Sequence, residues 1–110
     1  MPTTYKVLGQ SAPNANTTSN VYTVPAATQA VISTIIVTNR NASTNSTYRL
    51  AVQPAGAALA NQHFIAYDAP ITALDSVALT LGLTLGNTDV VSANAGHANI
   101  TFNIFGSEIT

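Results

Sequence analysis

A chain of 110 residues is the length of one small domain and too short for a two-lobed enzyme with a cleft between its halves. Its hydrophobic share of 46 % is ordinary, but only 6 % of its residues are charged, where about 25 % is usual, and the net charge is −1. Lys6, Arg40 and Arg49 are too sparse to follow a phosphate backbone, no apolar run approaches the ~20 residues of a membrane span, and the lack of cysteine removes disulfides and thiolate metal sites.

Neither nucleic acid nor membrane is therefore an expected partner, and the surface must be built from neutral Thr, Asn, Ser and Ala. Such a surface does little to hold neighbouring molecules apart. Residues 1–6 lack the charged-then-apolar layout of a signal peptide, so the expectation is a chain made and kept in the cytosol.

In chain order, the first expected strand is 5–9, followed by a loop over 11–20 whose low hydrophobicity suits a mobile or partner-ordered segment. A second strand is read at 20–24. The run 30–39 differs from the others: Val31, Ile35 and Val37 alternate onto one side and Ile32 and Ile36 onto the other, which makes both faces apolar. A strand of that kind is covered on both sides, by its own chain or by a second subunit. The turn 39–45 is rich in side chains that bond their own backbone, and is expected to close a hairpin onto a strand at 46–53 with Tyr48, Leu50 and Val52 inward.

The stretch 54–61, with its alanines around Gly56, is a loop with room for one helical turn. Strands follow at 62–67, 77–85, 88–92 and 99–105. In the run 77–85, Val77, Leu79, Leu81, Leu83 and Leu85 alternate with small or polar residues; leucine favours helices, but strict period-two spacing would scatter these five around a helix. Pro13, Pro25, Pro54 and Pro70 fall between runs, where a missing N–H costs no ladder bond. The sum is a single all-β domain over 1–110, an antiparallel β-sandwich or jelly roll of roughly eight short strands.

Several of these segments also resemble a known family. Val21-Tyr22-Thr23-Val24-Pro25-Ala26, leading into the Ile/Val strand that ends Thr38-Asn39-Arg40, is similar to the opening of small tailed-bacteriophage virion structural proteins. Tyr67-Asp68, Leu81-Gly82-Leu83-Thr84-Leu85, Thr88-Asp89-Val90-Val91 and Phe102-Asn103-Ile104-Phe105-Gly106-Ser107-Glu108-Ile109 look like the later parts of the same family, while Ala27 stands where a glycine often follows. The resemblance implies a component of the virion that packs against capsid or tail proteins, as a capsid decoration, neck or tail-tip element. It also implies a three-fold homo-oligomer. The motifs that carry it are structural, so they imply no catalytic residues and no cofactor.

The chemistry-bearing inventory is thin: His63, His97, Asp68, Asp75, Asp89 and Glu108. His63 and Asp68 are separated by five positions, which puts them on opposite faces of a regular strand, and no nucleophile elbow, phosphate loop or His-Glu-x-x-His element is present. An enzyme is not expected. A loop histidine such as His97 would bind metal only if symmetry gathered several copies, and the aspartates lack the alternation of a calcium loop, so no metal site is assigned.

Four Asn-x-Ser/Thr triplets, beginning at Asn16, Asn41, Asn45 and Asn99, arise by chance in so Asn- and Thr-rich a chain. The candidate interface residues are Val31, Ile32, Ile35 and Ile36, with Arg49 and Glu108 as a charge pair between subunits. If the chain instead reads a host receptor or glycan at a fibre or baseplate tip, Tyr5, Tyr22, Tyr48 and Tyr67 are the tyrosines that could form a stacking platform, with Tyr22 and Tyr48 as the candidate contacts, although Tyr48 and Tyr67 are better explained as core-edge residues.

Overall fold

The computed structural model describes residues 2–110 and contains eight strands: β1 (Thr3–Ser11), β2 (Ser19–Thr23), β3 (Gln29–Asn39), β4 (Ser46–Gln53), β5 (Phe64–Ile71), β6 (Ser76–Leu85), β7 (Val90–Ala95) and β8 (Ile100–Ile109). Two short 3-10 turns, Pro54–Gly56 and Asn61–His63, interrupt the connection between β4 and β5. All pairings are antiparallel, in a first sheet ordered β1-β8-β3-β6 and a second ordered β2-β7-β4-β5. First strand thus pairs with last, second with seventh, third with sixth and fourth with fifth. That nesting is a jelly roll, an all-β sandwich of eight strands.

One expected connection is corrected. The polar turn after β3 does not close a hairpin, because β3 lies in the first sheet and β4 in the second. Asn39 explains the crossing. Its buried amide donates to the carbonyls of Thr44 (3.0 Å) and Ile71 (3.4 Å), while its Oδ1 accepts from the Asn41 amide (3.0 Å). A polar side chain at the lip of the core thereby draws the loop across the end of the sandwich toward β5. Pro70, expected between strands, lies inside β5; β5 is the edge of its sheet, where an absent donor is tolerated.

The core lies between the sheets. Ile32, Ile35, Val37, Ile100, Phe102 and Ile104 come from the first sheet, and Tyr48, Leu50, Ile71, Val91, Ala93 and Ala95 from the second. Tyr48 meets Phe102 edge-on at 6.3 Å across the interior. The expected sides of β3 are corrected here, because Ile32 and Ile35 both point inward and are fully buried. A register shift between Ile32 and Thr34 leaves Ser33 as an extra residue, and one extra residue reverses the alternation beyond it.

At the edge where β1 meets β2 the two backbones run close together. A Cβ on Gly9 would collide with the Val21 carbonyl, so only glycine admits this approach. The connections β1–β2, β3–β4, β5–β6 and β7–β8 gather at one end of the sandwich, tied by Asn16 N–H to Ala95 O (2.8 Å), Leu74 N–H to Asn41 O (3.0 Å) and Arg40 N–H to Asn99 O (2.9 Å). Within the segment 11–20, expected to be a mobile or partner-ordered loop, residues 12–18 form the connection at this end; Asn16 bonds Ala95 and Pro13 is buried.

Candidate functional site

The outer face of the first sheet can be followed row by row through the register. Tyr5, Ser107, Val31 and Thr84 form one row; Val7, Phe105, Thr34 and Thr80 the next; Gln10, Asn103, Ile36 and Ala78 a third; Thr101, Thr38 and Ser76 a fourth. None of the seven charged residues occurs in these rows. Tyr5 is 84 % exposed and Val7 is exposed, while Val31, Ile36 and Phe105 are half-covered. The result is a four-stranded surface of aromatic and β-branched side chains among Thr, Ser and Asn, without charge. Of the interface candidates from the sequence, Val31 and Ile36 lie on this face, whereas Ile32 and Ile35 are sealed in the core.

Arg49 and Glu108 do not form a pair with each other within the fold. Glu108 sits opposite Ala30 and points between the sheets, its side chain only 12 % exposed. It accepts from the Tyr22 hydroxyl at 2.6 Å and pairs with Lys6 Nζ at 3.0 Å. The Tyr22 bond and then the Lys6 bond hold the Glu108 carboxyl below its usual range. Burial, followed by the bond to Glu108, raises the Tyr22 phenol well above its usual value. Lys6 lies on edge strand β1 with its chain directed inward, a placement that protects an edge from pairing with another strand. Tyr22 and Tyr48 are both buried, and neither ring is open to stack on a sugar.

Arg49 belongs to the outer face of the second sheet, where the sequence reading missed a cluster. The β4–β5 register shifts between Tyr48 and Leu50, so Tyr67 and Asp68 together face Arg49, and Asp68 takes a left-handed backbone at φ 50. Arg49 donates from Nε to Asp68 Oδ1 (2.6 Å) and from Nη2 to Oδ2 (3.2 Å), with its guanidinium 4.1 Å from the Tyr67 ring centre. These bonds lower the Asp68 carboxyl and raise the Arg49 guanidinium.

Phe64 meets Tyr67 edge-on at 4.9 Å, and Tyr67 is 58 % exposed rather than at the edge of the core. A groove of about 170 Å³ runs beside the Arg49–Asp68 pair, lined by these two with Asn16, Thr47, Asn94 and Gly96; Tyr67 lies outside its lining. A smaller cleft adjoins it, where Leu59 and Phe64 flank Ser92; the Ser92 hydroxyl is buried and has no hydrogen-bond partner among the described residues. The signal that could have found this cluster is the scarcity of charge. Arg49 and Asp68 are two of seven such residues; Arg49 falls in the expected strand 46–53 and Asp68 directly follows the one expected at 62–67, and these two strands proved to be neighbours.

His63 lies in the 3-10 turn before β5, and its Nδ1 accepts from the Ala60 amide (3.0 Å); it makes no pair with Asp68. His97 Nδ1 accepts from the Asn99 amide (3.2 Å). Asp75 accepts from the Ser76 amide (2.8 Å), and Asp89 from the amides of Gly86 and Ala55 (each 2.8 Å), so both carboxylates organise turns. No group of three or more His, Cys, Asp or Glu converges among the described residues. No family model and no curated protein matches the chain. The two outer faces therefore have to be interpreted from their own chemistry.

Proposed function

We propose that this chain is a non-enzymatic assembly subunit that lays the outer face of its first sheet against further copies of itself, as a structural component of a larger particle such as a tailed-phage virion. The observation that carries the reading is the absence of any charged side chain from the outward-facing rows of that sheet, which present Tyr5, Val7, Val31, Ile36 and Phe105, while Lys6 and Glu108 of the same strands turn inward. Charge depletion with aromatic enrichment distinguishes the core of an interface from ordinary surface. Size fits as well. Four strands about 4.8 Å apart and about ten residues long cover roughly 600 Å² in projection, near the ~800 Å² per partner of a standard interface.

The three-fold arrangement and the place on a virion rest on the sequence resemblance. The jelly roll is compatible with both but decides neither, because one fold hosts many functions.

Sedimentation velocity of the full chain tests the reading. A defined multimer is expected at micromolar concentration, and Val31→Lys with Ile36→Lys should dissociate it without changing the circular dichroism, because both side chains point away from the core. A wild-type chain that stays monomeric up to ~100 μM, well above the Kd of a standard-sized specific interface, overturns the proposal. Mass spectrometry of purified particles then gives the copy number, high for a shell component and low for a tail tip.

A further inference from the structure

We infer that the outer face of the second sheet carries a binding site for a neutral carbohydrate, centred on Arg49, Asp68, Tyr67 and Asn94. The site lies on the opposite side of the sandwich from the proposed assembly surface and does not depend on it.

Charge balance selects the ligand class. Asp68 neutralises Arg49 at 2.6 and 3.2 Å, so an anion entering the groove meets the carboxylate and a cation meets the guanidinium. What the pair offers is hydrogen bonding. A guanidinium has five N–H donors and a carboxylate about four acceptor sites, and the Arg49–Asp68 contact uses only two of each. Free donors and free acceptors therefore stand side by side. Neighbouring hydroxyls on a sugar ring each donate and accept, and match such a pairing. Asn94 extends it: its Nδ2 donates to Thr18 Oγ1 (3.1 Å), leaving the Oδ1 and a second N–H beside the groove.

Tyr67, outside the groove lining but against the Arg49 guanidinium, supplies the apolar part. Its ring is 58 % exposed, braced edge-on by Phe64 and covered in part by the guanidinium, and Leu59 in the β4–β5 connection and Ile65 in β5 are also exposed. An amphipathic ring beside a donor and acceptor pair suits a ligand with C–H faces and hydroxyl edges. The groove of about 170 Å³ is smaller than the ~300 Å³ at the low end of drug-sized sites, so it takes one ring-sized unit rather than a long chain.

A purely structural role explains the arrangement less well. An exposed ion pair adds little stability, and here it is obtained with two of the chain's seven charges and a left-handed backbone at Asp68. As a binding device it is preorganised, since the bidentate bond and the Tyr67 ring hold Arg49 in place before any ligand arrives.

Saturation-transfer NMR and calorimetry on the full chain provide the test, with a panel of galactose-, glucose-, mannose- and rhamnose-terminated neutral oligosaccharides against sialylated and sulphated ones. At least one neutral oligosaccharide is expected to bind, with Tyr67→Ala and Asp68→Asn each weakening it tenfold or more and Thr80→Ala, on the opposite face, leaving it unchanged. Circular dichroism confirms that each variant is folded. No binding across the neutral panel, preference for the acidic glycans, or binding that survives in both Tyr67→Ala and Asp68→Asn each overturns the inference. None of these outcomes bears on the multimer measurement, so the two readings fail separately.

Discussion

Replacing Tyr22 by Phe removes one oxygen from the joint between the sheets and leaves the packing in place. Tyr22 is on β2 and Glu108 on β8, so the 2.6 Å bond spans the sandwich near the edge where β1 and β2 converge. A hydrogen bond to a charged group contributes about 1.5–3 kcal/mol. Glu108 keeps Lys6 at 3.0 Å and a little solvent access in the variant, which puts the expected loss near the lower end, about 1.5–2 kcal/mol. For a chain of this length the unfolding entropy is about 0.23 kcal/mol/K, so the melting temperature should fall by about 6–9 °C at pH 7.

The loss should depend on pH in a defined direction. Because the Glu108 carboxyl is held below its usual range, its contribution is present above the unfolded value of about 4.3 and disappears as pH falls through the lower folded value. Tyr22 behaves oppositely. Its phenol is raised, so the wild type loses stability as pH climbs above the unfolded value of about 10, a decline that Tyr22→Phe should not share. Thermal melts at fixed protein concentration from pH 2.5 to 11 measure both limbs. A drop below 2 °C at pH 7, or an equal drop at pH 7 and pH 2.5, refutes a charge-assisted joint.

Two further substitutions examine the frame around the sites. Gly9→Ala drives a methyl into the Val21 carbonyl and forces β1 from β2, and overpacking of this kind costs about 1–3 kcal/mol; an unchanged urea midpoint argues against the close approach. Asp89→Ala removes the acceptor for both Gly86 N–H and Ala55 N–H, so amide exchange over 54–61 and 86–89 should accelerate while the core strands keep their protection; uniform exchange in both proteins counts against Asp89 as the tie.

How much was legible in the sequence depended on whether a signal was local. The strand Ser46–Gln53 was readable to its ends, because a polar turn and a proline bound it and its apolar residues alternate. The bonding partners of each strand were not readable. The turn at 39–45 has the chemistry of a hairpin, and only the amide of Asn39 reaching to Ile71 shows that it crosses between sheets. The Arg49 cluster was hidden for the same reason: Tyr67 and Asp68 were visible as residues, but the shifted register that sets both against Arg49 is a property of the β4–β5 pair. Exposure cannot be told from ring chemistry, and the stacking candidates Tyr22 and Tyr48 are both inside.

The contrast between β3 and β6 shows where parity arguments hold. Opposite the single step from Gly106 to Phe105 in β8, strand β3 advances two residues, from Ile32 to Thr34, and β6 advances three, from Leu83 to Thr80. Relative to β8, β3 therefore carries one extra residue and β6 two. One extra residue reverses alternation, which is why Ile32 and Ile35 share the inner face against a period-two reading. Two extra residues restore it, so Val77, Leu79, Leu83 and Leu85 still point inward in β6, with Leu81 turned outward beside Gly82, whose φ is 64. Strand β1 bulges at nearly the same level, between Val7 and Gly9. A line of bulges crosses the first sheet there, and bulges bend and twist the strands that hold them. The same reversal in β3 puts Thr34, Ile36 and Thr38 on the outside, so the charge-free face owes its composition to an irregularity that no alternation in the sequence records.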